Sequence, residues 1–271
     1  MPSRSKSRIR LFIAASTFIL LASAAYLINV ILHEDYRKIF DYWSSTPRLQ
    51  RPVSVEALAE VKKNRKTILA TSKYFGVSPI AVAGIIVAEV SLHTGPINYF
   101  EEYYVRAHFL SQTDEYLERL AIATENDVAD RRLKGESEQE FKFRLSRGLI
   151  WSTGLCRISI LKAIKLEPTL ATLEGRPTRN VRQVIESLLV PAENLKYCCL
   201  ELRVIQDKYK AAGFEIANRP DILATLFNTG RVDSELARHL RDKGRPPKPN
   251  DFGQYVTLHS DLLEAALASD Q

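Results

Sequence analysis

Cysteine and histidine are scarce, with three of the first and five of the second in 271 residues. No pair of them has the spacing of a zinc knuckle, a redox Cys-x-x-Cys or a haem site, and no two histidines stand at i, i+4. The expectation is no metal and no cofactor. Glycine and proline are modest too, at 11 and 12, which excludes collagen-like and low-complexity chains. Beyond its first ten residues the chain also lacks a strong charge of one sign. The formal net charge is +6, but Arg4, Lys6, Arg8 and Arg10 precede any acidic residue and leave only +2 over residues 11–271. An electrostatic nucleic-acid binder needs a basic face on its folded body, so no nucleic acid is expected as a partner. At 45% hydrophobic and 26% charged, the chain has the composition of a globular protein.

One long apolar run is present. Residues 11–32 read LFIAASTFILLASAAYLINVIL, without a charge. At about 1.5 Å per residue a helix of that length crosses a hydrocarbon core of roughly 30 Å. The basic tail at 1–10 and the His33-Glu34-Asp35 flank orient it with the N-terminus inside. A cleaved signal peptide is the competing reading, because Ala22-Ser23-Ala24 resembles a cleavage site. Apolar residues continue for eight positions beyond it, which favours an uncleaved single-pass anchor. Either way the body is exported; in a bacterium it lies in the periplasm, held at the inner membrane. In an oxidising compartment Cys156 has two possible bridge partners, the adjacent Cys198 and Cys199, and one thiol is left over. Three buried, unpaired cysteines acting as small hydrophobes are the equal alternative.

After residue 33 the periodicity is helical almost throughout, and no stretch alternates as a strand does. Helices are expected near 34–45, 54–75, 79–92, 113–124, 126–149, 156–166, 179–190, 191–212, 219–228, 232–242 and 252–268. Gly76 closes one of them and Ser78-Pro79 opens the next. Short hairpins have room in 93–112. The fold class is all-α: a helical domain over 33–242 with a highly charged excursion inside 93–149. The Pro-rich linker KGRPPKPN and a C-terminal helix make up 243–271.

Helix 79–92, PIAVAGIIVAEVSL, is apolar on every face except for Glu89. A helix hydrophobic all round lies at a domain centre, and the neighbours of Glu89 one turn away are Ile85, Ile86 and Leu92. Lost hydration favours the protonated form of such a carboxyl, the property required of a general acid. The same segment with TSKYFGVS before it scans like a helix-turn-helix, but it offers no Arg, Lys, Asn or Gln to read bases.

Three further pieces follow in order. Ser152-Thr153-Gly154-Leu155-Cys156-Arg157-Ile158 is a small-residue turn leading into a helix, PAENLKYCCLEL opens another with Asn194-Leu195, and Leu226-Phe227-Asn228-Thr229-Gly230 ends a short apolar helix. With GVSPIAVAGIIVAEVS they resemble the lysozyme-like superfamily, in particular lytic transglycosylases of the soluble and goose-lysozyme type. In that family a buried helix ends in a catalytic Glu, here Glu89. Ser-x-Gly-x-x-Gln-Ile follows, matched by Ser152, Gly154 and Ile158 with Arg157 in place of Gln. Ala-x-Tyr-Asn-x-Gly comes last, with Phe227 in place of Tyr and Asn228 kept. The resemblance spans roughly 55–235, with a longer interval between Glu89 and Ser152 than the family has.

What the resemblance implies is cleavage of the peptidoglycan bond between N-acetylmuramic acid and N-acetylglucosamine by one Glu acting as acid and then base. Ser152, Gly154, Arg157, Phe227 and Asn228 would line the sugar groove. Hydrolysis with a second carboxylate, Glu101 or Glu102, is the alternative chemistry. Tyr104, in the aromatic segment 99–109, is a further candidate for sugar stacking, against the reading of that segment as ordinary groove wall. The competing function is a non-catalytic, membrane-anchored scaffold that binds glycan or protein partners of the envelope.

Overall fold

The computed structural model describes residues 47–92, 105–134, 152–230, 232–241 and 247–268. Over these the chain is mostly helical. The expected membrane anchor at 11–32, helix 34–45, Glu101, Glu102 and Tyr104 lie outside the described residues. Among the described residues no helix is long and apolar enough to cross a membrane.

In chain order the helices are α1 (Val55–Phe75), α2 (Pro79–Leu92), α3 (Asp114–Lys134), α4 (Ile160–Glu174), α5 (Val181–Leu188) and α6 (Pro191–Ala211). They are followed by α7 (Pro220–Thr229), α8 (Val232–Arg241), α9 (Asp251–Leu258) and α10 (Ser260–Ala268). A two-stranded antiparallel hairpin, β1 (Ser152–Thr153) and β2 (Ile158–Ser159), precedes α4. Local chemistry sets the α1–α2 corner. The Ser54 hydroxyl accepts from the Ala57 N–H at 3.0 Å to start α1, and Gly76, at φ +66°, ends it in the left-handed conformation. The Ser78 hydroxyl then accepts from the Ala81 N–H at 3.3 Å, with Pro79 in the first helical position.

Helix α2 has no polar face, and Ala81 through Glu89 are all buried. It packs against α1, α6, α7, α9 and α10. Its contact with α9 requires a glycine: a Cβ on Gly84 would stand 2.5 Å from Cγ1 of Val256. Gly253 lets α9 approach α7 in the same way, since its Cβ would fall 2.2 Å from the Asp221 carbonyl oxygen. The C-terminal segment, expected as one helix beyond a linker, is therefore two helices built into the core. They meet at His259, and the Arg65 side chain bonds the Leu267 carbonyl from α1.

Other expectations are corrected as well. The helices expected at 113–124 and 126–149 begin as one continuous α3, because no Gly or Pro interrupts 114–134. The helix expected at 156–166 starts only at Ile160, after the hairpin, and then runs through Pro168 to Glu174. The proline removes one helical N–H, and burial of Leu166, Leu170 and Ala171 on the inner face carries the helix past it.

A buried carboxylate ties α4 to α6. Glu167 is 1% exposed and accepts from Arg176 Nη1 at 2.6 Å, the Arg179 N–H at 2.7 Å and the Tyr197 hydroxyl at 2.6 Å. Burial opposes its ionisation, but these donors outweigh burial and hold the carboxyl below its ordinary value of 4.5. Its stabilising contribution is full above the unfolded value and is lost as pH falls through the lowered folded value. Glu167→Gln is expected to cost about 3 kcal/mol at pH 7. In urea titrations its deficit against the wild type narrows below about pH 4.5. A deficit that stays constant down to pH 3 rules out this role.

Candidate active site

The β1–β2 turn is shaped from behind by Asn194, fully buried on the first turn of α6. Its Oδ1 accepts from the Cys156 N–H at 2.8 Å, while its Nδ2 donates to the carbonyls of Thr153 and Leu188, both at 3.1 Å. One amide thus satisfies a donor and two acceptors that would otherwise be buried without partners. Gly154, at φ +76°, lies against it so closely that a Cβ would fall 2.1 Å from the Leu188 oxygen and 2.2 Å from Asn194 Nδ2. The turn closes with the Arg157 N–H donating to the Gly154 carbonyl at 3.1 Å. Arg157 itself is at φ +48°, the one non-glycine among the described residues in the left-handed region. For an Arg this conformation costs about 1 kcal/mol, and here it turns the side chain toward Glu89.

Glu89, on the last turn of α2, is 7% exposed, and its Oε2 lies 3.6 Å from Arg157 Nε. Both face a cavity of about 520 Å³ whose wall also includes Ser152, Phe227 and Asn228. The same wall holds Lys162, from the first turn of α4. Glu89 is the one carboxyl on that wall among the described residues. A second hollow of about 320 Å³, bordered by Gly154, Leu155 and Pro191, meets the first at Ser152 and Arg157. Five of the residues singled out in the sequence therefore line one cavity, although they are drawn from three segments 60 to 140 residues apart. Gly154 lines the adjoining hollow.

Asn228 takes its place partly from the C-terminal helices. Asn250 caps α9 by accepting from the Gly253 N–H at 3.0 Å, exchanges hydrogen bonds with Thr225 at 3.1 Å, and donates to Asn228 Oδ1 at 3.4 Å. Phe227, 6% exposed, presents its ring to the cavity with Lys162 Nζ 5.4 Å from the centroid. Lys162 is also paired at 3.1 Å with Glu201 of α6. Sequence reasoning did not find Lys162. The available signal was its position five residues after Arg157, on the turn of helix that Ser159 caps.

Chemically, the arrangement sets a single carboxyl beside a fixed cation at the edge of a groove large enough for a sugar ring, with amide and hydroxyl groups around it. Compared with known proteins, the chain matches no family model, no curated protein sequence and no solved structure.

Proposed function

We propose that this chain is a lytic transglycosylase with a lysozyme-like helical domain, anchored in the inner membrane by residues 11–32 and cleaving peptidoglycan glycan strands in the periplasm. The observation that carries the reading is the convergence of Glu89, Ser152, Arg157, Phe227 and Asn228 on one cavity.

In this mechanism Glu89 donates its proton to the oxygen linking N-acetylmuramic acid to N-acetylglucosamine, and the bond from C1 to that oxygen breaks. The muramic acid 6-hydroxyl attacks C1, and the Glu89 carboxylate accepts its proton as the 1,6-anhydro ring closes. No water is consumed, and the carboxyl ends as it began. Glycosidases that hydrolyse through a nucleophile or an activated water need a second carboxylate, whereas intramolecular attack does not. Arg157 is placed to stabilise the carboxylate that exists between the two proton transfers. Ser152 and Asn228 supply hydrogen bonds to sugar substituents, and Phe227 supplies an apolar face for a ring.

The Arg157–Glu89 pair also favours a second reading, a glycan-binding scaffold in which a permanently paired carboxylate does no chemistry. Digestion of sacculi separates the two. The full chain in detergent, incubated with peptidoglycan, is expected to release anhydro-muropeptides. Products with reducing ends would mean a hydrolase, and retention on sacculi without products would mean the scaffold. Arg157→Gly removes the ion pair and the left-handed strain together. It is expected to keep the melting midpoint within about 3 °C of wild type while product release falls at least about tenfold. Undiminished release from this variant removes Arg157 from the mechanism.

A further inference from the structure

The two proton transfers of the proposed reaction leave one charged group on the cavity wall without a task. Lys162 reaches that wall with its side chain 25% exposed, and its Nζ is held 3.1 Å from the Glu201 carboxylate and 5.4 Å from the centroid of the Phe227 ring. Glu201 is buried on α6, so the ammonium is anchored from within the fold. An ammonium has three N–H donors, and one carboxylate partner leaves capacity for a ligand. Gly230 keeps room for it: a Cβ there would stand 3.9 Å from Nζ, so any side chain at 230 would begin in contact with the ammonium.

Charge balance points to the kind of ligand. Glu89 is protonated when the proposed reaction starts, and Arg157, Lys162 and Glu201 then sum to +1. Glu89 is also the one carboxyl on the wall among the described residues, so the balancing anion has to come with the ligand. A hydrogen bond between two charged groups is roughly twice as strong as one between neutral groups. Phe227 limits where that anion lies. Its ring is the apolar face offered to a sugar, and Lys162 stands beside it, so the anion is carried within a few bonds of a pyranose ring. In peptidoglycan the carboxylate nearest a ring is that of the lactyl group on C3 of N-acetylmuramic acid, which is ionised only where no peptide is attached.

We propose that Lys162 is a specificity-determining residue that pairs with this free lactyl carboxylate, so that the preferred substrate is glycan stripped of its peptides. The inference rests on the glycan reading of the cavity and names its substrate class. A stem peptide turns the carboxylate into an uncharged amide, which loses the ion pair and adds bulk at Lys162. Peptide-bearing strands are still accepted but are bound more weakly. The class of reaction that supplies the preferred substrate is hydrolysis of the amide between lactyl group and peptide, in which one water is consumed and a carboxylate and a peptide amine are released.

The test is equilibrium binding by the full chain in detergent, carrying Glu89→Gln so that strands are held without being cut. The probes are glycan strands of one length in three forms: with free lactyl carboxylates, with these converted to methylamides, and with stem peptides intact. The free-carboxylate strands are expected to bind at least about tenfold tighter than either other form. Lys162→Met combined with Glu201→Gln removes both charges of the pair and leaves neither one buried alone. It should bring the three forms within about threefold of one another, while Lys162→Arg keeps the order. Equal binding of free-carboxylate and methylamide strands overturns the proposal, and that arm needs no variant at Lys162. A preference that survives the double substitution overturns it as well. So does tighter binding of peptide-bearing strands, which would place the anion in the stem. The wild-type chain separates this inference from the reading beneath it. Preference for free-carboxylate strands without 1,6-anhydro products would sink the enzyme and keep the role of Lys162, whereas 1,6-anhydro products without preference would do the reverse.

Discussion

Glu89→Gln is expected to reduce release of anhydro-muropeptides from sacculi by about 10³-fold or more. Gln keeps the shape of the side chain and can still sit among Ile85, Ile86 and the cavity wall, but it has no acidic proton to give and no carboxylate to take one back. Acid–base catalysis by a positioned side chain contributes roughly 10²–10⁴-fold. Here one group serves both steps of the proposed reaction, so the upper part of that range applies. The melting midpoint should move by less than about 3 °C, since the side chain keeps its volume and its hydrogen-bonding capacity while the ion pair to Arg157 is lost. Binding to sacculi should persist. A variant that cleaves within tenfold of wild type would sink the role of Glu89 and with it the proposed chemistry. Loss of cleavage accompanied by a collapse in stability would show instead that the carboxyl is needed for the fold.

The second large effect lies behind the site. Asn194→Ala strips partners from the Cys156 N–H and the Thr153 and Leu188 carbonyls, all in a fully buried setting. Each orphaned group costs about 1–3 kcal/mol, so a loss of about 3–5 kcal/mol is expected. In a domain of this size that is a fall of about 10 °C in the melting midpoint. Asn194→Asp should fare no better, because a carboxylate accepts from Cys156 but donates to neither carbonyl. Both variants should also lose glycan cleavage at temperatures where they remain folded, since the turn carries Ser152 and Arg157 to the cavity. A midpoint within 2 °C of wild type for Asn194→Ala would show that the turn holds its shape by other means.

These residues mark where the sequence was readable and where it was not. Helix α2 was legible in full, because Ser78 and Pro79 announce its start and an apolar run of 14 residues, too short to span a bilayer, belongs inside a domain. The starts of α6 and α7 were legible for a similar reason, each opening on a proline. The hairpin was not. Strands of two residues have no alternation to detect, and what holds them is Asn194, some forty residues downstream. The end of α4, expected near 166, was not legible either, because burial on its inner face outweighs the one hydrogen bond that Pro168 removes. The residues lining the cavity were named from motif order, but their pairing was not. Nothing local says that Arg157 reaches Glu89, because the left-handed backbone that aims it depends on the packing of Gly154 against Leu188 and Asn194. Lys162 went unseen for the same reason: its place beside Phe227 follows from how α4 and α7 meet the cavity.

The packing of α9 and α10 on α2 also bears on biogenesis. Until residues up to 268 have left the ribosome, the most apolar of the described helices has one flank uncovered. A nascent chain stalled or clipped before residue 250 therefore displays a greasy surface attractive to chaperones and proteases. It would also leave Asn228 without the side chain that steadies it. Maturation of this domain is in that sense gated by synthesis of its tail.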